Sequence, residues 1–202
     1  MTTVPAGRPR PTPTALADAA VRRRGQGLLH VGVAVGVVGA ITEAAVLAVA
    51  TNTADGPYRY AADYWLTASG LPVAVGAVLV LAGVRLVQDR RDGRLGQVGL
   101  GLVGVTMAAL CAVLLASLFA GQDVQGGPTY VASTALSWVG VALCSAGSWR
   151  VGMVPRWLLV VWPVVWAVGS FFAVSVSPLL LAALYVTLLV VVRSSPVSPE
   201  AG

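Results

Sequence analysis

The chain has 202 residues, 57% of them hydrophobic and 10% charged, and its mean hydropathy is +0.82. That balance excludes an ordinary soluble domain and predicts an integral membrane protein, because apolar segments take up nearly everything after residue 28. All 13 basic residues are arginine, which excludes lysine Schiff-base chemistry with retinal or pyridoxal phosphate; the net charge of +5 flanks apolar segments and so reads as topology rather than nucleic-acid binding.

In chain order, residues 1–27 carry prolines at 5, 9, 11 and 13 and five arginines, and they predict a disordered basic tail. Apolar segments then fall at about 28–50, 61–85, 96–121, 129–149, 156–175 and 178–193, each near the length that crosses a ~30 Å core at ~1.5 Å per residue. The predicted fold is therefore all-α, a polytopic transmembrane bundle of six spans, with a short tail over 194–202. The hairpin "SFFAVSVSPLLLAALY" has almost no loop, so a re-entrant pair is the alternative for the last two segments. The first span is too long for a signal-peptide core and contains Glu43, so it is expected to stay attached.

Arg8, Arg10, Arg22, Arg23, Arg24, Arg85, Arg90, Arg91, Arg94, Arg150, Arg156 and Arg193 fall on one side of this layout, and only Arg59 on the other. The bias predicts a multi-pass protein of the bacterial plasma membrane with both termini cytoplasmic. Tyr58, Tyr60, Tyr64, Trp65 and Tyr130 would mark the outer interface, Trp149 and Trp157 the inner one. Exclusive use of arginine, with abundant Ala, Val and Gly, points to a high-GC bacterial genome.

Glu43 interrupts the first span, and a carboxylate at that depth needs either a partner or a function. At 100° per residue it shares a helix face with Gly32, Gly36, Gly39 and Ala50, a small-residue stripe that admits close approach of another helix. Counted from residue 28 it lies about 22 Å in, at the depth of Thr67, Ser69, Ser133, Ser137, Ser170 and Tyr185. Two readings stand: a structural carboxylate bonded to these hydroxyls or paired with Arg59, or the proton- or ion-coupling group of a transporter. Pro72 and Pro163 are candidate helix kinks at matching places in two inverted halves; the fainter echo of "AGVR" (82–85) in "AGSWR" (146–150) fits a hairpin duplication instead.

Gly104, Ala108 and Ala112 recur every four residues and predict a second packing stripe. Trp162 and Trp166 either line a cavity or stack on a cationic ligand, or they fill space beside Pro163. In the "QDRRDGRLGQ" loop, Asp89 and Asp92 are expected to pair with arginines. Cys111 and Cys144 lie at different depths and read as small core residues. One histidine and two cysteines supply no zinc or haem ligand set, no catalytic motif emerges, and no cofactor is expected.

The span pattern and the "GMVPRW" turn resemble the small six-helix integral membrane proteins of high-GC, actinobacterial-type bacteria that carry no assigned function. The resemblance covers residues 28 to 193 and transfers no active residue. It implies a non-enzymatic protein of structural or accessory role, whose partners are the lipid bilayer and either a second copy of itself or another membrane protein; the alternative is a compact secondary transporter using Glu43.

Overall fold

A computed structural model describes residues 12–49, 57–124, 128–171 and 177–194. Among the described residues six helices make up the fold: α1 (Pro13–Val49), α2 (Ala61–Val87), α3 (Gly93–Ala120), α4 (Pro128–Val151), α5 (Arg156–Phe171) and α6 (Ser177–Ser194). Each packs on the next in sequence, and α6 returns to α1, so the helices close into a ring. Five of the six are long and apolar enough to cross a membrane. The exception is α5, whose 16 residues reach only about 24 Å at ~1.5 Å per residue.

The helix α1 begins at Pro13, so residues 13–27 are helical and not part of a disordered tail. Proline suits the first helical position, where its missing N–H costs nothing. Tertiary contacts hold the next turns: Arg22 pairs with Asp89 at 2.5 Å, and a Cβ built on Gly25 would lie 2.8 Å from Leu86 Cβ. Residues 1–11 and 195–202 of the expected tails lie outside the described residues, as does Ala50.

The α1–α2 contact is made by glycine on both sides. A Cβ on Gly76 would lie 2.5 Å from Gly36 Cα, and one on Gly32 would lie 2.7 Å from Val80 N. Lower down, a Cβ on Gly83 would lie 2.6 Å from Leu29 N, while Gly39 receives the Pro72 ring. Missing side chains let the two backbones touch over several turns, which multiplies weak dispersion contacts. Gly36 also faces the Tyr185 ring of α6, so the stripe expected on α1 packs against two helices.

Among the described residues of this chain nothing packs on the stripe expected on α3. Nothing lies within 4 Å of a Cβ on Gly104, and Ala108 and Ala112 are exposed. The inward face of α3 instead carries Gly96, Gly99, Val103, Thr106, Met107, Leu114 and Ser117. Gly99 meets Gly140 of α4: a Cβ there would lie 2.6 Å from the Gly140 carbonyl. A four-residue period defines a face without saying which way it turns, and the bulkier Val103 and Met107 draw the other side inward.

Gly83→Ala is expected to wedge backbone from backbone and destabilise the protein by about 1–3 kcal/mol, the usual cost of overpacking. Gly104→Ala, with open space around it, is expected to leave the melting temperature in detergent unchanged or slightly raised. Equal melting of the two variants would contradict the α1–α2 contact as described.

Candidate functional site

Three of the hydroxyls expected to surround Glu43, those of Thr67, Ser69 and Ser137, bond elsewhere. Thr67 Oγ1 donates to the Asp63 carbonyl at 3.0 Å and accepts from Tyr58 at 2.6 Å. Ser69 Oγ donates to the Leu66 carbonyl, and Ser137 Oγ to the Thr134 carbonyl, while Trp166 Nε1 donates to Ser137 Oγ at 3.0 Å. Serine and threonine in a helix commonly turn back to carbonyls three or four residues earlier, and here that competes with any shared pocket. Tyr185 is 1% exposed, and its hydroxyl has no partner among the described residues. The Ser170 side chain lies outside the described residues.

Glu43 itself is half-buried, and no hydrogen bond or ion pair reaches it among the described residues. Arg59 is exposed and takes part through its backbone N–H, which donates to Asp63 Oδ2 at 2.9 Å. Asp63 also accepts from the N–H of Tyr60 at 3.0 Å, so this buried carboxylate caps the start of α2.

Neither proline takes part in a joint site. Pro72 rests against Gly39 of α1, whereas the Pro163 carbonyl accepts from Trp138 Nε1 of α4 at 3.1 Å. Both helices continue through their prolines.

The buried polar cluster that the sequence reading passes over lies at the arginine-rich end, between α2, α3 and α4. Arg85 Nη1 donates to Asp92 Oδ2 at 3.1 Å, with the two side chains only 14% and 3% exposed. Ser148 Oγ donates to Gln88 Oε1 at 3.1 Å. Two glycines make room for the aspartate: a Cβ on Gly96 would fall 1.5 Å from Asp92 Oδ2, and one on Gly147 would fall 2.9 Å from the Asp92 carbonyl. Cys144 Sγ donates to the Gly96 carbonyl at 3.7 Å alongside. The two echoing segments, 82–85 and 146–150, thus deliver Arg85 and Ser148 to one place.

The turn that presents Asp92 is unusual, because Asp89 and Arg90 both take positive φ, 53° and 59°. Left-handed backbone at non-glycine residues costs on the order of 1 kcal/mol each and persists only where surroundings fix it. Here the Arg90 N–H bonds the Arg85 carbonyl at 3.1 Å, closing the end of α2, and Asp89 holds Arg22. Both aspartates thus pair with arginines from outside the 88–97 loop, Arg22 of α1 and Arg85 of α2, and not with the loop arginines expected from the sequence.

A cavity of about 10 Å³ lies beside this cluster, walled by Arg85, Asp92, Gly96, Cys144, Ser148 and Trp162 among others. Trp162 is 1% exposed, so of the two readings for the tryptophans, Trp162 lines a cavity and Trp166 anchors α5 to α4. Asp92 Oδ1, Gln88 Nε2, Ser145 Oγ and Trp162 Nε1 are buried without a protein partner among the described residues. Burial pushes the Asp92 carboxyl above its ordinary value, against the pull of the Arg85 guanidinium.

No protein-family model matches the sequence, and no curated protein or solved structure shows significant similarity to it. The roles of these residues are therefore read from chemistry and placement.

Because folded Asp92 holds its proton more tightly than the unfolded chain does, its stabilising contribution is fully present below the ordinary value of 3.8 and is lost as pH rises through the raised folded value. Wild type should accordingly lose melting temperature relative to Asp92→Asn as pH climbs from 3.8 through the raised folded value; a gap independent of pH would refute the sign. Gly96→Ala should expel the carboxylate from Arg85 and cost about 3 kcal/mol, the scale of a broken buried pair, as read by detergent melting against Gly101→Ala, where a Cβ meets nothing.

Proposed function

We propose that this is a bacterial plasma-membrane protein of six spans, both termini cytoplasmic, with a structural or accessory role exercised through helix packing against itself or another membrane protein. The observation that carries the reading is the inverted distribution of polarity. Val38, Ile41, Val105, Phe119, Val164 and Val190 point outward at more than half exposure, while Asp63, Thr67, Gln88, Asp92, Ser137 and Ser148 are buried. In water such apolar faces would be a liability; in lipid they are the required surface, and polar groups must be satisfied within the bundle.

Exposed aromatics flank these faces, with Tyr60, Tyr64 and Trp65 at one end and Trp149 and Trp157 at the other, which supports a membrane of matching thickness between them. Arg22 meeting Asp89 and Arg193 meeting His30 join the start of α1, the α2–α3 turn and the end of α6 at the arginine-rich end, in keeping with the positive side of the layout. In this reading the shorter α5 crosses together with α6 as a hairpin, their contact made where Leu181 covers Gly169. The polar residues then serve to fix helices to one another, as the bond from Trp166 of α5 to Ser137 of α4 does.

One observation favours the second reading, a proton-coupled carrier. Glu43 sits in a helix long enough to span, half-buried and without a bonded partner among the described residues, so its proton is not tied up by a fixed pair. The two readings separate in proteoliposomes holding a pH-sensitive dye. For a structural protein, dissipation of an imposed pH gradient should be no faster than in empty vesicles, and equally slow with Glu43→Gln. Wild-type flux that Glu43→Gln abolishes would establish the carrier, and flux that survives the substitution would remove Glu43 from it.

A further inference from the structure

The cavity at the arginine-rich end brings together two groups that the helices leave unpaired. Trp162 Nε1 is a buried donor and Asp92 Oδ1 a buried acceptor, neither has a protein partner among the described residues, and both residues wall the same space. We propose that this space is the binding site of a single water molecule, bridging Trp162 of α5 to Asp92 at the head of α3.

Size limits the occupant first. About 10 Å³ is the scale of one water-sized sphere, which suits a single small polar molecule. Chemistry limits it next. A cation would sit against the Arg85 guanidinium and the positive end of the indole N–H, and an anion would sit against the Asp92 carboxylate. An apolar guest would leave both buried groups without a bond, which is the costly arrangement.

Water answers both walls. It accepts from the Trp162 indole and donates to Asp92 Oδ1, whose other oxygen is held by Arg85. Its second proton can go to Ser148 Oγ, which spends its own proton on Gln88 Oε1 and keeps its lone pairs. That gives three partners, the usual number for a buried water. The bridge would fasten α5 to the α2–α3 turn one helical turn before its bond to Ser137.

The test is a water-to-indole cross-relaxation experiment on the full chain in nanodiscs with 15N-labelled tryptophan. Trp162→Phe identifies the Trp162 signal among the six indoles. The expected result is a direct cross-peak between bound water and the Trp162 indole proton, together with a shift of that resonance in Asp92→Asn and in Ser148→Ala but not in Asp89→Asn. No water cross-peak would overturn the proposal. If Asp92→Asn moved the indole without such a peak, a direct indole–carboxylate bond would replace the bridge. The wild-type cross-peak decides the matter alone if the substitutions at Asp92 or Ser148 prevent folding.

Discussion

Backbone contact between α1 and α2 is the constraint on which the rest of the bundle rests. Gly36 and Gly76 lie face to face with no room for a side chain on either, and Gly32 and Gly83 extend the contact toward the arginine-rich end. Where no hydrophobic drive separates helix from lipid, packing density and satisfied polar groups are what remain to hold helices together. The same contact fixes where Gly39 meets Pro72 and where Tyr185 of α6 can rest, so three helices take their positions from one stripe.

At the arginine-rich end the same device serves a polar purpose. Gly96 and Gly147 vacate the volume that the Asp92 side chain occupies, and Arg85 arrives on the final turn of α2 to meet it. A buried ion pair adds little net stability once desolvation is counted, but its geometry is demanding and so is its register. The left-handed turn at Asp89 and Arg90 supplies that register by bringing the first residues of α3 back over the end of α2.

What the sequence makes legible follows the physics of each signal. Hydropathy locates all six helices because lipid and core both reward long apolar runs, and the α1 stripe is readable because Gly32, Gly36 and Gly39 repeat on one face beside a lone carboxylate. The same arithmetic fails on α3, since period alone cannot orient Gly104 and Ala108. Depth likewise places Thr67, Ser69 and Ser137 near Glu43 but is silent on azimuth, and their own carbonyls take them. The Asp92 cluster is obscured because topology already accounts for its arginines. Its signal is the pair of glycines that only the fold brings to one carboxylate. Residues 13–27 look unable to fold in isolation, and it is contact with Asp89, Leu86 and Val87 that keeps their inner turns helical.

The closed ring bears on how the protein is made. α1 and α2 can associate as soon as both have left the ribosome, since their glycines are close in the chain. The second surface of Gly36, however, belongs to Tyr185 of α6, which leaves the ribosome only after the five helices before it. Until then α1 carries an uncovered flank, and the ring is joined only when its sixth helix arrives beside the first.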